Sequence, residues 1–165
     1  MQLTASIEGE SVCKEVSLVS TKEIKRNREA IKALAMHMIS MDCEKLECPL
    51  NHHFSGGVYI REITMPAGSS IVGKIHKTEH FNIITSGECK VFTADEGWKV
   101  RKAGEIFSSK SGVQKALKCT TDVTWLTIHI ASEDDIGKIE SDLSAEKYED
   151  LESDQLLEER ARIGI

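Results

Sequence analysis

The sequence predicts a mainly β protein: one antiparallel barrel or sandwich with helices added at both ends. Three observations predict it. Between Val58 and His129, seven or eight short β-rich runs alternate with turn signals such as PAGS, SGE, DEG and KSG. Before that region, Ser20-Thr21-Lys22-Glu23 is a capping box leading into helically spaced apolar residues. After Ser132 helical spacing returns, now with a dense negative charge. The boundaries so drawn are a helical extension over 1–50, a barrel over 51–132 and an acidic helical tail over 133–165.

Each element has its own local reason. Ile24, Ile31, Leu34, Ala35 and Met38 fall near the helical period, which predicts a helix over about 21–40 with one face against the body. ECPLNHHFSGG reads as a loop punctuated by Pro49 and a glycine pair. The strands expected next are VYIREITM, SIVGKIH, HFNIIT, CKVFTA, WKVRK, IFSS, VQKAL and DVTWLTIHI, with DEG as a hairpin turn. In the tail, Ile136, Ile139 and Leu143, then Leu151, Leu156 and Leu157, mark apolar positions among many charges.

Composition narrows the function classes. With 40% hydrophobic and 29% charged residues, the 165-residue chain is neither disordered overall nor membrane-spanning. The N-terminus has neither the basic flank nor the apolar core of a secretory signal, which predicts a cytosolic protein. Five cysteines without a CxxC pair agree with reduced thiols. Cys43 and Cys48 with His52 and His53 match no common zinc-finger spacing. Twelve acids against four bases from Glu133 onward put −8 on the tail, so the net −6 leaves +2 on residues 1–132. No basic cluster interleaved with aromatics is present, which argues against a reader of duplex nucleic acid, while the basic body leaves room for a smaller anion.

Two glycine-framed motifs carry a family resemblance. The first runs Gly68, five residues, Lys74-Ile75-His76, three residues, His80, six residues, Gly87. The second runs Gly104, five residues, Lys110-Ser111-Gly112, two residues, Lys115, three residues, Cys119. In this spacing the chain resembles the cupin superfamily, and HHFSGGVYIREITMPAGSSIVGKIHKTEH is similar to cupin-domain proteins of phage and prophage genomes. The resemblance implies a jelly-roll barrel, a double-stranded β-helix that commonly forms homodimers or larger homo-oligomers. It also implies a metal held by two His, a Glu and a third His. Those positions here hold Lys74, His76, His80 and Lys115. An ammonium group has no lone pair to offer a metal. At 4 Å and an effective dielectric of about 20, each like charge costs roughly 4 kcal/mol. The usual metal site is therefore expected to be lost.

The same frame suggests other chemistry. Alternation places Lys74 and His76 on one inner face, joined by His80, Asn82 and Lys115, and by Arg61 if Tyr59, Arg61 and Ile63 form an inner set. Such a cationic cup suits a small anion of the phosphate or nucleotide kind, with Tyr59, Phe81 or Trp125 to stack on a ring. The plainer reading leaves Lys74 and Lys115 solvated or paired with Glu62 or Glu79, and His76, His80 and His129 as packed core histidines. The leading expectation is a binder without catalysis, metal or cofactor; sequestration of a host signalling nucleotide is one use a phage protein would have for it. A first alternative is a metal-dependent enzyme with iron, manganese or zinc on His76, His80 and His129. A second is a structural or interaction module whose helical ends do the binding.

Overall fold

A computed structural model of the chain describes residues 19–41, 46–131 and 135–151. Helix α1 (Thr21–Ser40) begins where the capping box places it, with the Ser20 hydroxyl accepting from the Glu23 amide at 3.3 Å. It ends as the Met41 amide donates back to the His37 carbonyl. Its inward stripe is Ile24, Asn27, Arg28, Ile31, Ala35 and Met38, of which Arg28 and Ile31 are buried. Leu34, expected on that face, is 40% exposed.

The segment read as a loop is in fact a strand. β1 (Leu50–Ser55) forms a hairpin with β2 (Val58–Met65). The glycine pair makes the two-residue turn, Gly56 at φ +54 and Gly57 at φ +83, the left-handed conformations that match strand twist. His52 and His53 therefore stand on an edge strand. The run SIVGKIH also differs, breaking into β3 (Ser70–Val72) and β4 (Ile75–His76). The Gly73–Lys74 link between them bonds to the neighbouring loop, with the Gly73 amide on the Lys115 carbonyl and its carbonyl on Gln114 Nε2.

The remaining strands are β5 (His80–Ser86), β6 (Glu88–Thr93), β7 (Gly97–Lys102), β8 (Ile106–Ser109), β9 (Ala116–Cys119) and β10 (Val123–Ile130). One sheet has the order β1-β2-β10-β5-β8 and the other β3-β9-β6-β7. The chain passes back and forth between them, so sequence neighbours such as β2 and β3 lie in opposite sheets. That order is a jelly roll. Met65, Ile84, Cys89, Val91, Cys119, Val123 and Trp125 fill one end of the space between the sheets. Here Gly87, at φ +81, lets the backbone approach Asp122; a Cβ would sit 1.9 Å from that residue's carbonyl oxygen.

The tail docks on the other end. Helix α2 (Ile136–Leu143) is capped by the Asp135 side chain and followed by β11 (Ser144–Ala145), which pairs with β4. A short 3-10 turn (Tyr148–Asp150) then places Tyr148 under the Arg28 guanidinium, 4.4 Å from the ring centre. Leu156 and Leu157 lie outside the described residues. Among the described residues no helix is long and apolar enough to cross a membrane.

Candidate functional site

Strand alternation on β2 and β10 points Tyr59, Arg61, Ile63 and Met65, and Trp125, Thr127 and His129, into a cavity of about 260 Å³. The expected inner set of β2 is thus present. His76 and Lys115 line the cavity from the opposite sheet side, and Ile139, Glu140 and Leu143 of α2 close over it.

The centre of the site is a cluster of three imidazoles. His76 comes from β4, His80 from the start of β5 and His129 from β10. Their ring centres are 4.1 Å apart for His76–His80, 4.7 Å for His80–His129 and 5.4 Å for His76–His129. One ring nitrogen from each lies within 4.8 Å of the other two. Burial first, and then the Lys115 charge, pushes His76 down to about 2 and His80 to about 3. The same causes push His129 to about 4. All three rings are neutral near pH ~7, and each has a lone pair to offer.

The hydrogen bonds sharpen this picture. His80 Nδ1 lies 3.0 Å from the Thr78 carbonyl, which can only accept, so Nδ1 carries the proton and Nε2 the lone pair. Lys115 Nζ donates to that lone pair at 3.2 Å. Nδ1 of His76 and Nδ1 of His129 are buried without a hydrogen-bond partner among the described residues. Two orphaned nitrogens in one cluster call for a ligand, since buried polar groups are ordinarily paired.

The expected cationic cup is only partly built. Lys74 lies at the break between β3 and β4 and lines the same cavity as His76. Its ammonium is 57% exposed at the rim and pairs with Glu140 at 3.2 Å, a partner 66 residues away in the tail. Lys115 is 6% exposed, and burial pushes it down to about 7. Its two expected partners are occupied or outward: Glu62 takes His53 at 3.0 Å, and Glu79 is exposed. Arg61 is the one cation that faces the cavity without an ion pair or hydrogen bond from its side chain among the described residues.

The other candidates divide between wall and surface. Tyr59 is buried and its hydroxyl is bonded to His52 Nδ1 at 2.8 Å, so it serves as a wall behind His129. Asn82 is fully buried, donating to Ser109 Oγ and accepting from Trp125 Nε1, both at 3.0 Å. Its amide is committed to holding the indole at the cavity wall. Phe81 points outward, 57% exposed, and cannot stack on a cavity ligand. Cys48 packs against the core and Cys43 lies outside the described residues. Sequence reasoning missed Glu140 and the cavity role of Ile139 and Leu143. The helical spacing of Ile139 and Leu143 marked an apolar face there, but nothing marked what it covered.

No protein-family model matches this chain, and no curated protein does. Solved structures give matches of low identity. A cupin superfamily protein from Desulfitobacterium hafniense is 13% identical, with 56% of this chain and 84% of that chain covered and a TM-score of 0.45. An RmlC-like cupin family protein with a double-stranded β-helix fold from Methanocaldococcus jannaschii is 16% identical (56% and 87% covered, TM-score 0.44). The Cupin_2 domain of an XRE family transcriptional regulator from Enterobacter cloacae is 12% identical (54% and 100% covered, TM-score 0.44). The jelly roll itself is assigned from the sheet order of this chain.

Proposed function

We propose that the barrel is a metal-dependent small-molecule site, with one divalent transition metal ion held by His76, His80 and His129. The observation that carries this reading is the convergence of three neutral imidazole nitrogens within 4.8 Å, two of the rings bearing an orphaned Nδ1. The set usual for the resembling family does not fit, since Lys74 is drawn to Glu140 and Lys115 offers an amine. The trio does fit. His80 even has the outer-shell partner that metal-bound histidines favour, a carbonyl on the other ring nitrogen. Three protein ligands, two of them lining a cavity, are the number found in catalytic sites rather than structural ones. When bound, the ion would supply Lewis acidity or redox chemistry.

The chain's own residues do the rest. Thr78 fixes the His80 tautomer, and Tyr59 and the β4–β11 pairing hold His129 and His76 in place. Lys115, depressed to about 7, can give up its proton and vacate His80 Nε2. Ile139, Glu140 and Leu143 of α2 add to the lining.

A second reading, a binder that needs no metal, is favoured by the Lys115–His80 bond itself, because the lysine already satisfies that lone pair. Elemental analysis of chelator-free protein separates the two, together with zinc, nickel and ferrous titrations. We expect about one ion per chain, and none in a folded His129→Ala variant. Metal-free protein that takes up none of the three ions refutes the reading.

A further inference from the structure

We infer that the ligand of this cavity is a small monocarboxylic acid with an apolar body, its carboxylate gripped by Arg61. This rests on the reading of the cavity as a ligand site, and not on the metal.

Arg61 stands mid-strand on β2, with Tyr59 and Ile63 as its neighbours on the same inner face. Its charge is among those that hold His76 and His129 below their usual range, which agrees with a guanidinium turned toward the cluster. Among the described residues the only acid lining the cavity is Glu140, and its carboxylate pairs with Lys74 at 3.2 Å. A guanidinium in such a place lacks a counter-charge, and a partly desolvated charge is stable only when paired. An anion from outside the chain supplies the pair.

The number and shape of the charges choose the anion. Arg61 offers one positive charge in a planar fork, which matches a carboxylate through two parallel hydrogen bonds. A phosphate monoester brings a second negative charge and needs a second cation. Lys74 pairs with Glu140 at the rim, and the charge of Lys115 is disfavoured by burial, which pushes it down to about 7. Beyond Arg61 much of the wall is apolar, from Ile63, Met65, Ile71, Leu117 and Trp125, while Thr127, Ser144 and the imidazoles of His76 and His129 add polar groups that carry no charge near pH ~7. The cavity of about 260 Å³ has room for a small organic acid. Benzoic and hexanoic acids have this size and polarity.

The test is calorimetric titration of the full chain with benzoate, hexanoate, their neutral amides benzamide and hexanamide, and phenyl phosphate. The expected result is saturable binding of both acids, with the amides and phenyl phosphate weaker by roughly ten-fold or more. Arg61→Gln should reduce acid binding to the amide level, and Arg61→Lys should restore part of it, with the metal content of both variants unchanged. If Arg61→Gln does not fold, the acid-to-amide ratio of the unmodified chain decides alone. Amides binding as well as acids, phenyl phosphate binding more tightly than benzoate, no acid binding, or a folded Arg61→Gln with undiminished acid binding would each overturn the inference. Arg61-dependent acid binding to metal-free protein keeps the inference and removes the metal. A full metal complement with no acid binding does the reverse.

Discussion

Acidification should unfold this protein through its three central histidines. In the unfolded chain each imidazole takes a proton near 6.5, whereas in the fold His129, His80 and His76 resist protonation down to about 4, 3 and 2. The unfolded state therefore binds more protons throughout that interval. The stability these groups permit is complete above about pH 6.5 and is lost as the pH falls toward the folded values. At about pH 5 the unfolded histidines are almost fully protonated and the folded ones almost bare, a difference of about 2 kcal/mol for each. The three together approach about 6 kcal/mol. That is an upper figure, because rings in mutual contact do not titrate independently. It is still comparable with the whole stability of an ordinary domain, about 5–15 kcal/mol. Urea unfolding followed by the fluorescence of buried Trp125 measures it, at several pH values between about 7.5 and 5. His129→Gln should flatten the dependence by about one proton in three, and saturating zinc should oppose the acid loss. A stability unchanged between about pH 7 and 5 would refute the account, since it requires three imidazoles that are buried and neutral.

Two further substitutions test the supports of the site. Asn82→Leu leaves the Trp125 N–H and the Ser109 hydroxyl without their buried partner, and should cost about 2–4 kcal/mol in urea unfolding. Gly87→Ala places a methyl 1.9 Å from the Asp122 oxygen at a positive φ, and should cost more than about 3 kcal/mol or abolish folding. Gly104→Ala, at φ +90 with open space around it, meets the backbone strain alone and should cost about 1–2 kcal/mol, so the pair separates strain from close approach.

Periodicity and turn chemistry made most of the fold legible. The capping box marked α1 to the residue, and the turns around Gly68, Gly87, Gly97 and Gly104 marked the strands. Two local features were read against their own signals. The Gly56–Gly57 pair is a two-residue hairpin turn, yet with Pro49 it was read as the punctuation of a loop; β1 carries the polar Asn51, His52 and His53 because it is an edge. SIVGKIH looked continuous, and only the bonds of Gly73 to the Gln114–Lys115 segment show why it breaks.

The candidate site was legible in membership but not in charge. His76, His80, His129, Arg61 and Lys115 were all named from alternation and motif spacing; His76, His129, Arg61 and Lys115 line one cavity, and His80 packs against three of them. What the sequence could not show is which of them stay charged. Lys115 reads as a cation until its burial is known, and Lys74 reads as free until a helix 66 residues later supplies Glu140. The tail was read as an acidic helical element with Ile136, Ile139 and Leu143 as its apolar positions, but what those positions cover is visible only once docked.

The smallest sheet in the molecule, the two-residue pairing of β4 with β11, ties the barrel's chemistry to the end of the chain. Ser144 lies directly across from His76, and the neighbouring Lys77 amide bonds to the Leu143 carbonyl at 2.9 Å. One corner of the imidazole triangle is thus braced by a segment that belongs to neither of the two large sheets. Such an arrangement is reciprocal: whatever tightens the triangle also tightens the clasp, and whatever pulls on the clasp slackens the triangle. The susceptibility of the tail to a protease then becomes a gauge of what the barrel holds. Conversely, a partner that draws off the acidic end would empty the site from outside, without entering it.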